Sequence, residues 1–272
     1  MTPRLPLVAT LMLSACAHQS LNVDALVKLE RPAIFGRIEE GAGPVSTVFR
    51  DDSSFGPRLQ RLDAQEGDRR LSAKLAHGTP EQASITRFEV ADSLRAQTVA
   101  LLPKVRPYST ILEPTRVASV LESFLVDEVP ANEPDYARLV PMGADSVLEI
   151  VIEKYGMRAE KGQAGVFVIG FARLFKIDGP TLYSRKFFSD ELKAGLPGAD
   201  PFAVAKNPGL FRDRLKNVLT AIARQVAEDV SVPEAARASV AQEPKSVADP
   251  KNGDVSKPQT GERKTEPNSD PL

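Results

Sequence analysis

The alternation of apolar and polar positions is clearest between residues 145 and 230. From Asp145 to Tyr155, Leu148, Ile150 and Ile152 point one way while Val147, Glu149, Val151 and Glu153 point the other, which predicts a strand with one fully apolar face. Val166 to Ile177 is apolar on both sides, as a central strand requires. Asp178-Gly179-Pro180 supplies turn chemistry, and Thr181 to Phe188 reads as a third strand. The three predict a meander in the order edge, centre, edge. Leu215, Val218, Leu219, Ile222, Val226 and Val230 then recur at helical spacing and mark a long amphipathic helix able to cover one face of that sheet.

Upstream the pattern is helical. Ile85, Phe88, Ala91 and Leu94 follow Thr79-Pro80-Glu81 and predict a helix running to about Leu102, stopped by Pro103. Tyr108 to Leu112 is a short β-rich run. Pro114 suits a first helical position, and Val117, Val120, Leu121, Phe124 and Leu125 form a one-faced stripe behind it. A shorter helix is expected over Asp135 to Pro141. Between Ser20 and Gly78 the pattern weakens: Ala33 to Ile38 reads as a short strand, Asp63 to Ala76 as a broken helix, and Arg50 to Pro57 as a loop. The expected fold class is α+β, with a small antiparallel-rich mixed sheet, the three-strand meander of 145–188 plus one or two short strands, covered by amphipathic helices. The expected organisation is a leader over 1–15, a linker and poorly legible segment over 16–80, a core over 81–231 and a disordered tail over 232–272.

The tail is read from composition. Pro233, Pro244, Pro250, Pro258, Pro267 and Pro271 are spread through Ser, Ala, Lys, Glu and Asp with no aromatic residue and no Ile. Such a segment buries too little apolar area to offset an ordering cost of about 1 to 2 kcal/mol per residue. Deleting Val232 to Leu272 should therefore barely alter the melting temperature. Over the whole chain of 272 residues, 35 basic and 36 acidic residues leave a formal net charge of -1, without the basic surplus of a nucleic-acid binder. One cysteine makes no internal disulfide, and two histidines build no His-rich metal site.

That cysteine lies in an informative place. Met1 to Arg4 is followed by the mostly apolar Leu5 to Leu13, a layout of positive charge and short greasy run typical of a secretory signal. The run is shorter than the roughly 20 apolar residues needed to span a bilayer. Leu13-Ser14-Ala15-Cys16 resembles the lipobox of bacterial lipoproteins. The resemblance implies that Cys16 becomes the first residue of the mature chain and carries lipid on its sulfur and amino group, and that Ala17, not being Asp, favours the outer membrane facing the periplasm. Several acyl chains, at about 0.8 kcal/mol per buried methylene, hold a protein on its membrane where a single chain does so only marginally.

Further on, Ile111 to Leu121, Gly143-Ala144-Asp145 before a strand, and Phe171 to Gly179 resemble the periplasmic lipoprotein domain of the curli-secretion lipoprotein and the TolB amino-terminal domain, over roughly Ser84 to Val230. The resemblance implies a fold and an envelope role: assembling a secretion channel, supporting a transporter, or activating a wall-building enzyme. The usual opening strand of that group is not evident, nor are extra long hairpins suited to a membrane barrel.

Reactive motifs are lacking. No Gly-x-Ser-x-Gly elbow, P-loop, Gly-x-Gly-x-x-Gly, His-Glu-x-x-His or Cys-x-x-Cys occurs. His18 sits beside Cys16, and His77 precedes a predicted helix with no paired nucleophile. Asp51 and Asp52 read as a hydrated loop pair. Asp145, Glu149 and Glu153 share a strand face at four-residue intervals, which sets neighbouring carboxylates about 14 Å apart. Glycosidase pairs lie at roughly 5 to 9.5 Å, so an exposed strand face is the simpler reading. Arg173, inside an apolar strand, needs a carboxylate or carbonyl partner if buried. The stretch Gly156 to Gly165 reads as a long loop, and its Met157, Arg158, Glu160 and Lys161 form the candidate partner-binding surface.

The sequence thus predicts a membrane-anchored, non-catalytic envelope lipoprotein that binds an envelope protein or assembles with its own copies, with no cofactor, metal or nucleic acid. A cell-wall or carbohydrate hydrolase using Glu149 and Glu153 is the alternative.

Overall fold

The computed structural model describes residues 20–39, 41–59, 61–77, 86–122 and 134–231. The leader, Cys16, Ala17, His18, the Thr79–Glu81 helix start, Ile85, Phe124, Leu125 and the tail lie outside the described residues. The fold is a mixed α+β arrangement around one five-stranded sheet. Its strands are β1 (Pro32–Ile38), β2 (Pro44–Ser46), β3 (Ser146–Glu160), β4 (Gln163–Lys176) and β5 (Thr181–Asp190). β3, β4 and β5 form the expected antiparallel meander. The order is β1-β3-β4-β5, with β2 also on β3 beyond the end of β1. Both short strands run parallel to β3.

That parallel pairing corrects the expectation that the first meander strand is an edge. β1 covers Ser146 to Ile152 and β2 covers Tyr155 to Met157, so β3 is central and buried on both faces over its first seven residues. Residues 23–77, read above as linker and poorly legible sequence, supply β1, β2 and the helices α1 (Val23–Leu26), α2 (Val48–Asp51) and α3 (Ala64–His77) to this core. The sequence Arg50 to Pro57, expected as a loop, is instead the end of α2 and a 3-10 turn over Ser53–Leu59. The buried Asp68 of α3 makes this possible: its carboxylate accepts from the Phe49 N–H at 3.1 Å, the Arg50 N–H at 3.2 Å and the Ser46 hydroxyl at 2.6 Å, satisfying backbone donors at the start of a short helix.

The larger core lies between one sheet face and the helices α4 (Arg87–Leu101) and α7 (Gly209–Asp229), with the short α6 (Pro201–Lys206) ahead of α7 adding Val204 to it. α4 starts on a capping box, in which the Thr86 hydroxyl accepts from the Glu89 N–H and the Glu89 carboxylate accepts from the Thr86 N–H. α7 buries Phe211, Leu215, Val218, Leu219, Ile222, Ala223, Val226 and Ala227, a stripe of i, i+3, i+4 repeats. A smaller core on the opposite face sets Ala33, Phe35 and Val147 under α5 (Pro114–Glu122) and a 3-10 helix over Tyr136–Met142. Tyr108–Thr110 is a 3-10 turn rather than a strand, because the Tyr108 hydroxyl is drawn under the end of α7 to donate to Val230 O at 2.9 Å. No helix among the described residues is long and apolar enough to cross a membrane.

Candidate functional site

The carboxylates singled out from the sequence are not brought together. Glu149 is fully buried rather than on an exposed face. Its Oε1 accepts from Arg37 Nε at 2.6 Å and from the Tyr136 hydroxyl at 2.6 Å, and its Oε2 accepts from Arg173 Nε. Tyr136 packs edge-on against Phe35 and Phe175, and the Arg173 guanidinium lies 5.0 Å from the Phe175 ring centroid. Burial, then the charge of Glu149, pushes the Tyr136 phenol upward, so it stays a hydrogen-bond donor. With three donors on two oxygens inside a packed core, Glu149 is a buried partner for two arginines that β1 and β4 carry inward.

Glu153 falls at a β-bulge, where the register skips from Ile152 opposite Gly170 to Lys154 opposite Ile169. The bulge shifts the alternation by one residue, so Tyr155, Met157 and Ala159 continue the core side begun by Leu148, Ile150 and Ile152. The shared face assumed for Glu149 and Glu153 does not survive it. Asp145 is occupied too, accepting from the Arg31 N–H at 3.3 Å, the Glu30 N–H and the Ser146 hydroxyl at 2.8 Å. Asp51 accepts from the Thr47 hydroxyl at 2.6 Å. Among the described residues no group of three or more His, Cys, Asp or Glu is placed to hold a metal ion.

The expected long loop between the first two meander strands is not there. β3 and β4 stay paired from Gly156 opposite Phe167 to Glu160 opposite Gln163, leaving only Lys161 and Gly162 as a turn. Both have positive φ, 52° and 77°, as a two-residue hairpin turn that follows the strand twist requires. Of the four residues proposed for partner contact, Met157 is therefore fully buried in the core. Arg158 Nε donates to the buried Asp190 and its Nη2 donates to Glu160 at 3.1 Å. Glu160 and Lys161 remain exposed at the tip.

A small surface forms around that tip. Asp52 accepts from the Gly162 N–H and from the Ser54 N–H, and these bonds hold its carboxyl below the usual carboxylate range. On the other side Glu191 accepts from the Val166 N–H and from Arg214 Nη1, tying the segment after β5 to the hairpin and to α7. Glu160, Lys161, Gln163, Leu192, Gly195 and Leu196 line a cavity of about 220 Å³ there, and Leu196 is 49% exposed beside it. Arg58 pairs with Asp200 through two 2.9 Å bonds at the same end and stacks 4.1 Å from the Phe202 centroid. The sequence flagged Glu160 and Lys161 but not Leu192 or Leu196, which reach the tip only through the fold.

No protein-family model matches the chain, and no curated protein matches it. Among solved structures it is similar to the PelC dodecamer from Paraburkholderia phytofirmans, at 10% identity and a TM-score of 0.33, over 80% of this chain and 96% of that one. It is similar to lipoprotein GNA1162 from Neisseria meningitidis, at 15% identity and a TM-score of 0.29, over 73% and 99% of the two chains. It is also similar to the hypothetical protein CT253 from Chlamydia trachomatis, at 12% identity and a TM-score of 0.30, over 74% and 98%. Scores this low carry neither fold nor function across.

Proposed function

We propose that the protein is a non-catalytic envelope lipoprotein, held at the membrane by acylated Cys16, which presents its β3–β4 hairpin end to a protein of the envelope or to a second copy of itself. The observation that carries this reading is the position of Leu13-Ser14-Ala15-Cys16 at the end of a short apolar leader, four residues before the described fold begins at Ser20. The geometry supports the division of labour. The chain joins the fold beside the start of β5, where the Asn22 N–H donates to Leu182 O at 3.0 Å. β3 starts at the same end and runs fifteen residues, about 45 Å, to the hairpin. Glu160, Lys161 and Leu196 thus sit far from the anchor, on a surface that sets one exposed leucine beside exposed charge. Ala17 after the cysteine favours the outer membrane.

Metabolic labelling with a radioactive fatty acid tests the anchor: wild type is labelled, and Cys16→Ser is unlabelled and precursor-sized. An unlabelled wild type overturns it. A photo-crosslinking amino acid at Lys161 tests the surface. A product of defined mass, absent when the same group replaces Asp178 at the anchor end, is expected; its mass distinguishes a second copy from another protein. Equal products at both positions would remove the hairpin from the proposal.

A further inference from the structure

At the opposite end of the sheet the structure leaves a polar depression of about 590 Å³ that the function described above does not use. It is lined by Glu30, Arg31, Arg106, Thr110, Gly143 and Asp145. The fold builds it from separate segments. Asp145 accepts from the Glu30 and Arg31 backbone, the Thr110 hydroxyl donates to Glu30 O, and Tyr108 is pinned to the end of α7. Gly143, with φ 84°, has no Cβ where the Arg31 guanidinium passes; one would lie 3.2 Å from Arg31 Nη1. Among the described residues neither the Arg31 nor the Arg106 guanidinium has a hydrogen-bond or ion-pair partner, and the same holds for the Glu30 carboxylate. Two cations and one carboxylate stand exposed around a concave floor.

The position of this end supplies the occupant. Four residue steps from Cys16 to Ser20 span at most about 14 Å fully extended. With Cys16 acylated, Ser20, where the described residues begin, cannot lie farther than that from the lipid, and Asn22 follows two residues on. The depression opens at the same end, within the width of the sheet from Leu182, since adjacent strands lie about 4.8 Å apart. Next to it, Leu101 at the end of α4 and Val105 just beyond it are 45% and 41% exposed, and Lys104 and Arg106 flank Val105 on either side. Apolar side chains flanked by cations suit the boundary between headgroups and acyl chains.

We propose that this end of the domain rests on the bilayer and that the depression holds one zwitterionic phospholipid headgroup, its phosphate against Arg31 and Arg106 and its ammonium against Glu30. The balance of charge selects a zwitterion over a purely anionic lipid, because Glu30 and Asp145 offset the two arginines. The proposal rests on the acylation of Cys16 for its geometry, and the experiment separates the two.

The chain contains no tryptophan, so one introduced residue is a clean optical probe. Val105→Trp and Lys161→Trp variants of the full lipidated protein are reconstituted into phosphatidylcholine/phosphatidylethanolamine vesicles carrying a headgroup nitroxide quencher. At least twofold quenching is expected at position 105, with less than a tenth of the emission lost at 161. Adding Arg31→Glu and Arg106→Glu, or the milder Arg31→Gln and Arg106→Gln, should reduce the quenching at 105 at least twofold with the melting temperature retained. Replacing the phospholipid with a phosphate-free galactolipid should do the same. Equal quenching at both positions, or no effect of the arginine changes and of the lipid exchange, overturns the proposal. Absent fatty-acid label on the wild type overturns the anchor alone; the same vesicles added to that chain then decide docking by whether position 105 is quenched.

Discussion

Glu149 shows how much of a residue's role is set by its neighbours. With Arg37 and Arg173 held against it by β1 and β4, removing the carboxylate takes the buried counter-charge away from two partly buried arginines, and breaking a buried ion pair in this way costs about 3 to 5 kcal/mol. Glu149→Ala should lose stability on that scale in urea unfolding. A fourfold change, Arg37→Met, Glu149→Leu, Arg173→Met and Tyr136→Phe, should recover most of it, since it also removes the phenol hydroxyl that donates to Glu149, and a buried ionic cluster gains little over apolar packing of similar volume. A hydrolase reading would instead require Glu149→Gln to abolish cellular effect without unfolding. The tyrosines give a second contrast. The Tyr155 hydroxyl is buried with no hydrogen-bond partner among the described residues, whereas the Tyr183 hydroxyl donates to Asp229 at 2.8 Å. Tyr155→Phe should leave stability unchanged or raise it by about 1 kcal/mol, and Tyr183→Phe should lower it by about 1 kcal/mol, both read from urea midpoints. The need of Arg173 for a partner was legible in the sequence, because a guanidinium in an apolar strand demands one. Which carboxylate answered was not, because it depends on the register between β3 and β4.

Among the elements, the least legible are those whose partners are distant. β2 has only three residues and no alternation to read, yet it completes the far half of the sheet. It closes on β3 at Gly156, where a Cβ would stand 1.8 Å from Val45 O. Gly156→Ala should therefore displace β2 and lower the melting temperature by many degrees, while keeping the meander signature in circular dichroism. The long helix α7 and the three meander strands were legible, since their apolar stripes are long enough to state their own period; α4 was legible as a helix, but Phe88, in its expected stripe, is 52% exposed, and Val90 and Thr98 join Ala91 and Leu94 on its buried side. The hairpin was misread as a loop because Lys161-Gly162 lacks the Asn-Gly or Asp-Gly signature and the glycines at 156 and 165 suggest breaks. α3 carries an electrostatic device of its own. Hydrogen bonds from Arg69 and then Arg70 hold the Glu66 carboxyl down to about 2. A carboxyl with a depressed pKa stabilises the fold above its unfolded value near 4.5, and that contribution is lost as pH falls towards 2. Glu66→Gln should shrink the drop in urea midpoint between pH 5 and pH 2.5, modestly and less so in high salt, because the group faces solvent.

For the molecule as a whole, the chain has four tyrosines and no tryptophan, and all four, Tyr108, Tyr136, Tyr155 and Tyr183, are buried. Burial pushes every phenol upward, Tyr155 to about 12. The unfolded chain releases these protons near pH 10, so stability falls as pH rises past that point. Absorbance at 295 nm should show one steep, cooperative rise coinciding with loss of circular dichroism; a gradual rise centred at 10 in folded protein would contradict the packing. β3 runs from the end where Asn22 meets Leu182 to a hairpin about 45 Å away. Local order along the chain was enough to determine the meander and the amphipathic helices, and to propose the leader and the acylation motif, because each is written in the spacing of neighbouring residues. The burial of Glu149, the central place of β3 and the meeting of Leu196 with Lys161 were decided only by the tertiary structure, because each requires strands or segments far apart in sequence to choose one register.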